Sequence, residues 1–386
     1  MGQILEITLM NLRNLVSRLG SSLVIVVGIA GVVAVLVGLL AMAAGFRAAL
    51  QSASVPERAI VLRDQSNGEL SSGMSNVEYN IVSQFEGVAV LSPELYVVAD
   101  IPKMDTGTPA NVVLRGVGPD AFVVRPEIEV IKGRRFEPGR NELLVGQLAA
   151  VEFAGLEVGA EIELKSSRWR IVGHFAANGS AYESEVWADL PVAQSAFNRG
   201  GALSSMRVLL EQPSLAASVA EAIKADPRLD LALTTEDQFY AEQSEGLSSL
   251  ITSFGYAVAT IMAIGAVFAA LNTMYTAVST RSVEIATLRA LGFGALPVVI
   301  SVLIEALLLA FLGGALGGLV VWLLFDGYTA STLNNASFSQ VAFDFAVTPQ
   351  LLQTGLVWAL VLGAIGGLLP ALRAARLPIF DALRGE

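Results

Sequence analysis

Four long stretches of the chain carry almost no charge, and each is long enough to cross a lipid bilayer as a helix. They span residues 21–45, 246–278, 296–325 and 345–370, and the third contains the only charged residue among them, Glu305. A helix needs about 20 consecutive apolar residues to cross the hydrocarbon core. We therefore predict an α-helical membrane protein with four transmembrane helices.

A short polar segment, residues 279–294, separates the second stretch from the third. Apolar residues recur three and four positions apart along it and so share one face of a helix: Ile285, Leu288 and Gly292. Arg281 and Glu284 lie three apart on another face. A helix with these charges cannot lie in hydrocarbon. We predict a helix whose polar face contacts a protein outside the membrane and whose apolar face packs against the ends of the flanking spans.

The polar segment 46–245 is large enough to fold as a separate domain between the first two spans. Alternating apolar and polar residues predict short strands interrupted by two helices. The strands are predicted at 88–91, 95–101, 111–117, 142–145, 161–165, 168–175 and 205–210. From Thr235 onward, an N-cap pattern predicts one continuous helix running into the second span. The fold class is thus four transmembrane helices plus a large α+β extracytoplasmic domain inserted between helices 1 and 2.

The short polar segments differ in charge, and this predicts the orientation of the spans. Seven arginines lie in segments 1–20, 279–294 and 371–386: Arg13, Arg18, Arg281, Arg289, Arg373, Arg376 and Arg384. The loop 326–344 carries two aspartates and no base. Positively charged segments stay on the cytoplasmic side. Both termini and segment 279–294 are therefore predicted to be cytoplasmic, and domain 46–245 and loop 326–344 to lie outside.

The two ends of the chain are predicted to be cytoplasmic. Residues 1–20 place leucines at helical spacing, which predicts an amphipathic helix at the membrane interface; an extension of the first span is the alternative. The apolar run that follows is far longer than the ~7–15 residues of a signal peptide core. We interpret it as a retained anchor. Residues 371–386 form the predicted cytoplasmic tail.

Composition excludes several classes of function. The chain of 386 residues is 54% hydrophobic and only 15% charged, which is typical of a membrane protein. It has no cysteine and one histidine, so thiolate chemistry is excluded and a zinc enzyme is not expected. Its net charge of −11 and the lack of a basic patch argue against nucleic acid as a partner. We expect no catalytic residues and no metal site; His174, Glu183 and Glu185 are expected to be ordinary polar residues.

Polar and small residues inside the spans are candidates for structural or functional roles. Glu305 is a polar anchor between spans, a substrate contact, or a residue near the cytoplasmic interface whose carboxylate reaches water. Asn272 is expected to form a helix–helix hydrogen bond. Four glycines, spaced four residues apart in pairs, are expected to permit close helix packing, within the subunit rather than in a dimer: Gly313, Gly317, Gly363 and Gly367.

Two motifs carry a resemblance to a known family. Residues 281–292, RSVEIATLRALG, resemble R-x-x-E-I-x-x-L-R-A-x-G, and residues 370–384 resemble the closing pattern P-A-x-x-A-x-x-x-P-x-x-A-L-R. In the outer segment, residues 131–136 and 155–159 resemble strands and turns of the same family. With its order of spans, the whole chain is similar to MacB/FtsX-family permeases of ABC transporters, which work by mechanical transmission.

The resemblance implies a MacB-like periplasmic core domain at 46–245, with a porter subdomain near 46–110 and 200–245 and an insertion at 111–199. Segment 279–294 would be the coupling helix, with six ATPase-coupling residues: Arg281, Glu284, Ile285, Leu288, Arg289 and Gly292. It implies a bacterial inner-membrane permease that partners two copies of a cytoplasmic ABC ATPase, a second permease copy or paralogue, a periplasmic membrane-fusion adaptor and membrane lipid.

Because no GxxxxGK[ST] sequence occurs, ATP and Mg²⁺ are expected on the ATPase chain, with no cofactor on this one. Three alternatives to export remain open. They are lipoprotein extraction by a permease of the LolC/LolE type, activation of a cell-wall hydrolase by an FtsX-like permease, and a membrane-anchored enzyme, which the lack of a catalytic constellation disfavours.

Overall fold

The computed structural model describes residues 19–52, 54–334 and 339–376. The predicted N-terminal amphipathic helix and most of the predicted tail lie outside these residues. The helices of the described part are α1 (Leu19–Gln51), α2 (Asn76–Val82), α3 (Ala121–Val124), α4 (Gln147–Glu152), α5 (Leu190–Ala196), α6 (Ala216–Ala225), α7 (Glu236–Ser279), α8 (Ser282–Ala290), α9 (Ala295–Phe325) and α10 (Pro349–Ala375).

The strands of the same part are β1 (Arg58–Arg63), β2 (Val88–Pro102), β3 (Pro109–Val117), β4 (Glu129–Gly133), β5 (Glu142–Gly146), β6 (Glu161–Leu164), β7 (Ser167–Ala176), β8 (Val186–Asp189), β9 (Ser205–Leu210), β10 (Leu231–Thr235), β11 (Thr329–Asn334) and β12 (Ser339–Asp344). Short 3-10 helices occupy Ala181–Ser184 and Pro213–Leu215.

The chain divides into two compact units. One, here called the helical unit, comprises residues 1–44, 250–328 and 346–386; the other, the sheet unit, comprises residues 45–249 and 329–345. The sheet unit is thus inserted mainly between the first two long helices, as the polarity pattern predicts. Residues 326–344, predicted as a loop, instead contain the antiparallel hairpin β11–β12, which belongs to the sheet unit.

Four helices of the described chain, α1, α7, α9 and α10, are long and apolar enough to cross a membrane. α7 is an unbroken helix of 44 residues, so the predicted continuity from residue 235 into the second span is confirmed. Acidic residues occupy its first turn, where they complement the helix dipole. α10 starts with Pro349 in its first turn, and the Thr348 hydroxyl accepts a hydrogen bond from the Leu351 amide at 3.4 Å.

Glycines allow the helices of the helical unit to pack closely. A Cβ added at Gly363 of α10 would lie 2.3 Å from the Ala310 Cβ of α9, and one at Gly367 would lie 2.5 Å from the Ala306 Cβ. A Cβ at Gly313 or Gly317 of α9 would meet backbone carbonyl oxygens of α1 at 2.8 and 2.5 Å. All four glycines therefore contact other helices of the same chain, so α9 packs between α1 and α10.

The sheet unit is built on a mixed sheet of ten strands. The strand order is β10-β1-β9-β2-β3-β8-β5-β7-β4, with β6 paired to β7. The pairs β3–β8 and β5–β7 are parallel, and the others are antiparallel. β2 is one strand of 15 residues where the alternation predicts two. It joins the two halves of the sheet, since β9 pairs with its first half and β3 with its second.

Two apolar cores lie in the described part of the sheet unit. The first packs α6 on β1 and β9 through Val61, Val208 and Ile223, and the second surrounds the fully buried Trp169. Leu95, Val97, Ala99 and Ile101 of β2 belong to the second core. β2 therefore contributes to both cores, because its Leu91 belongs to the first. The expected boundary at residue 111 between porter subdomain and insertion stays a prediction.

Candidate functional site

α8 is a nine-residue helix between the two apolar helices α7 and α9. It ends at Ala290, and two residues later Gly292 has a φ of +96°, in the left-handed region that favours glycine. The Phe293 amide donates to the Leu288 carbonyl at 3.1 Å and the Gly292 amide to the Arg289 carbonyl at 3.1 Å, which closes the last turn. Gly292 therefore acts as the predicted stop signal and lies exposed, beyond the apolar face.

One side of α8 faces the ends of α7 and α9. Ile285 is 8% exposed and Ala286 is 1% exposed, while Leu288 is half-buried. Ile285 and Leu288 line a cleft with Met274 and Val278 of α7 and with Val298 and Val302 of α9. The predicted apolar face through Ile285 and Leu288 thus packs between the two long helices, and this packing fixes which side of α8 is free.

Arg281 does not lie on an exposed polar face, in contrast to the expectation from its spacing with Glu284. Its side chain is 7% exposed, and its Nη1 lies 3.2 Å from Oε2 of Glu305 in α9. Its Nε lies 3.6 Å from Oε2 of Glu284. The physical reason is that a carboxylate buried among apolar helices is costly unless it is paired. The guanidinium turns inward to pair with it.

Glu305 is a buried anchor rather than a residue with its carboxylate in water, because its side chain is only 9% exposed. It lies about 15 Å along α9 from the start of that helix, at ~1.5 Å per residue. Nη2 of Arg281 has no hydrogen-bond partner in the part of the chain that the structure describes. The adjoining cleft has about 20 Å³ of space for the centre of a water-sized sphere, enough for one water molecule.

The opposite side of α8 is exposed and less polar than predicted. Val283 is 52% exposed and Leu291 is 73% exposed. Thr287, also exposed, lies midway between them at a spacing of four residues, so the three form a stripe along one face. Glu284, with a side chain 51% exposed, borders this stripe. We refer to Val283, Glu284, Thr287 and Leu291 as the exposed face of α8.

Asn272 and Arg289 are two further residues that the sequence predicts as site residues. Asn272 in α7 is exposed, and its side chain makes no hydrogen bond in the described part of the chain, so the expected helix–helix hydrogen bond is absent there. The reason is its position on the side of α7 turned away from the helices that pack on it. Arg289 is half-buried at the end of α8.

The sheet unit holds a buried ion layer that the sequence does not predict. Its side chains are at most 17% exposed. It consists of Arg58, Arg115, Arg125, Arg207, Glu69, Glu94, Glu127, Glu185 and Glu236. The strand register places Arg115 opposite Tyr96 of β2 and Trp187 of β8, on the sheet face away from the apolar cores. Charged residues alternating with core residues along β2, β3 and β9 are the signal that could have revealed it.

Arg115 is the centre of the ion layer. Its guanidinium lies 2.7 Å from carboxylate oxygens of Glu69, Glu94 and Glu185. Glu94 also accepts from Arg125 at 2.6 and 3.0 Å. Burial alone would raise the pKa of the Glu94 carboxyl, but the charges of Arg125 and Arg115 hold it below its ordinary value. Glu94 is therefore ionised and paired at neutral pH.

The residues considered for a metal site have structural partners. Oε1 of Glu183 accepts from the backbone amides of Ala177 at 2.6 Å and Gly179 at 2.9 Å. Glu185 pairs with Arg115, and the His174 ring lies 2.7 Å from the Leu156 carbonyl oxygen. No cluster of three metal-ligating side chains occurs in the ranges that the structure describes.

Comparison with known families gives two matches that together cover most of the chain. Residues 22–226 match the MacB-like periplasmic core domain family, which alone accounts for more than half of the chain. Residues 256–379 match the FtsX-like permease C-terminal family. The chain belongs to the MacB/FtsX family of ABC transporter permeases.

Curated relatives of this permease are distant. An uncharacterised ABC transporter permease of Methanocaldococcus jannaschii is 24% identical over 237 residues, which are 60% of the chain and 58% of that protein. The macrolide export ATP-binding/permease protein MacB 1 of Aeromonas hydrophila subsp. hydrophila is 24% identical over 296 residues, 71% of the chain and 43% of that protein. The permease therefore spans about half the length of these relatives.

Solved structures similar to the permease are outer domains of transporters. The extracellular domain of the noncanonic ABC-type transporter YknZ from Gram-positive bacteria is 13% identical, with a TM-score of 0.37 over 46% of the chain and 100% of that domain. The periplasmic region of MacB from Actinobacillus actinomycetemcomitans is 14% identical, with a TM-score of 0.38 over 48% of the chain and 92% of that structure. Family membership rests on the two family matches and not on these low scores.

Proposed function

We propose that this permease is the membrane subunit of an exporter that is driven by an ABC ATPase on a separate chain. ATP-driven closure of two ATPase copies would displace α8, and α7 and α9 would carry the displacement to the sheet unit. The observation that supports this most is the two-sided environment of α8. Arg281 and Ile285 are buried on one side, while Val283 and Leu291 are exposed on the other.

The exposed face of α8 fits a protein partner better than it fits water. Val283 and Leu291 are apolar side chains that are more than half exposed, and each lies four residues from the end of a hydrocarbon-length helix. Burying them in a groove of the ATPase would be favourable, by about 25 cal/mol for each Å² removed from water. Glu284 at the border can pair with a basic residue of the partner, which would fix the orientation of docking.

The assembly that we propose follows the family and the charge pattern. The chain would reside in a bacterial inner membrane with both termini and α8 in the cytoplasm and the sheet unit in the periplasm. A second permease copy or paralogue would complete the membrane part, and a membrane-fusion adaptor would meet the sheet unit. ATP and Mg²⁺ would bind the ATPase chain, because no phosphate-binding loop sequence occurs in these residues. Export is the preferred activity because the Aeromonas relative is named for macrolide export.

Site-directed crosslinking tests this proposal. The chain has no cysteine, so a single cysteine at Leu291 gives one labelling site for a photoreactive maleimide. With a cognate ABC ATPase, we expect a crosslink from Leu291→Cys. The control is Leu250→Cys, an equally apolar and 62% exposed position near the other end of α7, which should give none. Equal crosslinking at both positions, or none at Leu291→Cys in a complex that copurifies, would refute docking at α8.

Substrate identification separates export from its alternatives. Lipoprotein copurified with the permease–ATPase complex would favour extraction of the LolC/LolE type, and a bound wall hydrolase would favour an FtsX-like activator. A small molecule that stimulates ATP hydrolysis and accumulates in inverted vesicles would favour export.

A further inference from the structure

The coupling motif R-x-x-E has its two charged residues in different environments. Arg281 is buried and pairs with Glu305 of α9, whereas Glu284 is half exposed. We propose that the Arg281–Glu305 ion pair holds α8 against α9, so that Arg281 is a positioning residue for the coupling helix and not a docking residue. This inference rests on the proposed function, since it assigns a role to the helix that meets the ATPase.

The location of Arg281 allows it to hold three helices at once. It occupies the turn between α7 and α8, where its amide donates to the Val278 carbonyl of α7 at 3.2 Å and its carbonyl accepts from the Ile285 amide of α8 at 3.0 Å. Its side chain reaches Glu305, in the second to third turn of α9. A force applied to α8 is therefore transmitted to α9 through a directional contact at the joint between α7 and α8.

The position of α8 depends on its contacts with other helices. A helix of nine residues is far shorter than the ~12–15 residues that are marginally stable alone in water, so α8 depends on its tertiary contacts. Within α8 itself, only Ile285 and Ala286 are buried. Apolar packing resists separation of the helices but does not fix their angle. An ion pair between groups less than 10% exposed has a preferred direction and is weakly screened by salt.

Glu284 has a different role because its contact with Arg281 is longer, at 3.6 Å, and its side chain is 51% exposed. It can exchange this contact for a basic group of a partner without disturbing the buried pair. Within the motif, Glu284 thus faces the partner and Arg281 faces the membrane helices. Substitutions at the two positions should consequently have separable effects.

Pulsed electron–electron resonance between two spin labels tests this division in the full-length chain. The labels go on Thr287→Cys in α8 and Leu312→Cys in α9, both exposed positions in a chain with no other cysteine. For the unsubstituted pair we expect one narrow distance distribution. Arg281→Gln and Glu305→Gln should each broaden it at least twofold, because the contact that fixes the angle is lost.

Three further variants make the outcome specific. Arg281→Lys, which keeps the charge, should give a distance distribution nearly as narrow as that of the chain without this substitution. The exchange Arg281→Glu with Glu305→Arg should restore most of the narrow width. Glu284→Gln is the matched control, since it neutralises the other carboxylate near Arg281. It should leave the width of the distance distribution unchanged while weakening capture of a cognate ABC ATPase by at least tenfold.

The inference is wrong if Arg281→Gln and Glu305→Gln both retain the narrow distribution, or if the exchanged pair is as broad as the single variants. The distance measurements use the permease alone, so their outcome does not depend on ATPase docking. Failure of the proposed function appears separately, as normal ATPase capture by Glu284→Gln together with no crosslink from Leu291→Cys. A broadened distribution with intact capture would support the positioning role.

Discussion

Neutralising Glu94 should strongly destabilise the sheet unit. Glu94 is 0% exposed and accepts from Arg125 at 2.6 and 3.0 Å and from Arg115 at 2.7 Å. Arg125 is also 0% exposed, and Glu94 is its ion-pair partner in the part of the chain that the structure describes. The substitution Glu94→Gln keeps the size of the side chain and removes its charge. It leaves the Arg125 guanidinium buried beside the Tyr182 and Trp187 rings without a counter-charge.

The expected loss of stability follows from the burial of Glu94 and Arg125. Breaking a buried ion pair by removing one partner costs about 3–5 kcal/mol, a large part of the ~5–15 kcal/mol that stabilises a typical domain. For a unit of roughly 200 residues, each kcal/mol shifts the midpoint of thermal unfolding by about 2–4 °C. We therefore expect Glu94→Gln to lower the midpoint by about 6–20 °C.

Tryptophan fluorescence during heating of the full chain in detergent measures this shift. Trp169 and Trp187 are both fully buried in the sheet unit, so their exposure reports its unfolding. The matched control is Glu137→Gln, which neutralises a glutamate 50% exposed that pairs with Arg134 and Arg140. The thermal unfolding midpoint of this control should lie close to that of the unsubstituted chain. A Glu94→Gln midpoint within 2 °C of the control would refute the view that the ion layer depends on charge pairing.

Three further predictions concern pH, packing and hydrolysis. Because the folded state holds the pKa of Glu94 below its unfolded value, its stabilisation is complete above about pH 4.3 and is lost as pH falls further; a midpoint that rises on acidification from pH 5 to pH 3 would contradict this. Gly363→Ala should destabilise the helical unit by about 1–3 kcal/mol in a denaturant titration, since its Cβ would lie 2.3 Å from that of Ala310, whereas Gly38→Ala, with open space around it, should be neutral. The purified permease should not hydrolyse ATP until its ATPase is added, and robust hydrolysis by the contaminant-free chain would contradict the assignment.

The order of the long helices along the chain was predictable because it depends on the composition of each local stretch. Four apolar stretches and one charged helix between the second and third follow from counting residues, and the helices α1, α7, α8, α9 and α10 confirm them. The N-cap pattern at Thr235 likewise predicts the start of α7. These features depend on neighbours in sequence, so a single sequence suffices to find them.

Features that depend on strand register and helix rotation were not predictable in this way. The ion layer brings together Glu69 and Arg207, 138 residues apart, through the pairing of β9 with β1 and β2. Arg281 has the spacing of a surface residue, and only the position of Glu305 on a different helix turns it inward. The hairpin β11–β12 was missed because short Ser- and Asn-rich strands resemble a loop in composition.

Docking of the ATPase on α8 is the central claim, and its most direct test is the affinity of the ATPase for Glu284→Ala. A desolvated charge pair that loses one partner typically costs about 2–5 kcal/mol of binding, against ~0–1 kcal/mol for a solvated surface pair. We expect Glu284→Ala in nanodiscs to bind the ATPase at least tenfold more weakly in calorimetry, with normal folding and insertion. The control Glu6→Ala, outside the motif but on the same predicted side of the membrane, should bind normally. Unchanged affinity and ATP hydrolysis with Glu284→Ala would contradict the claim that α8 is the coupling helix.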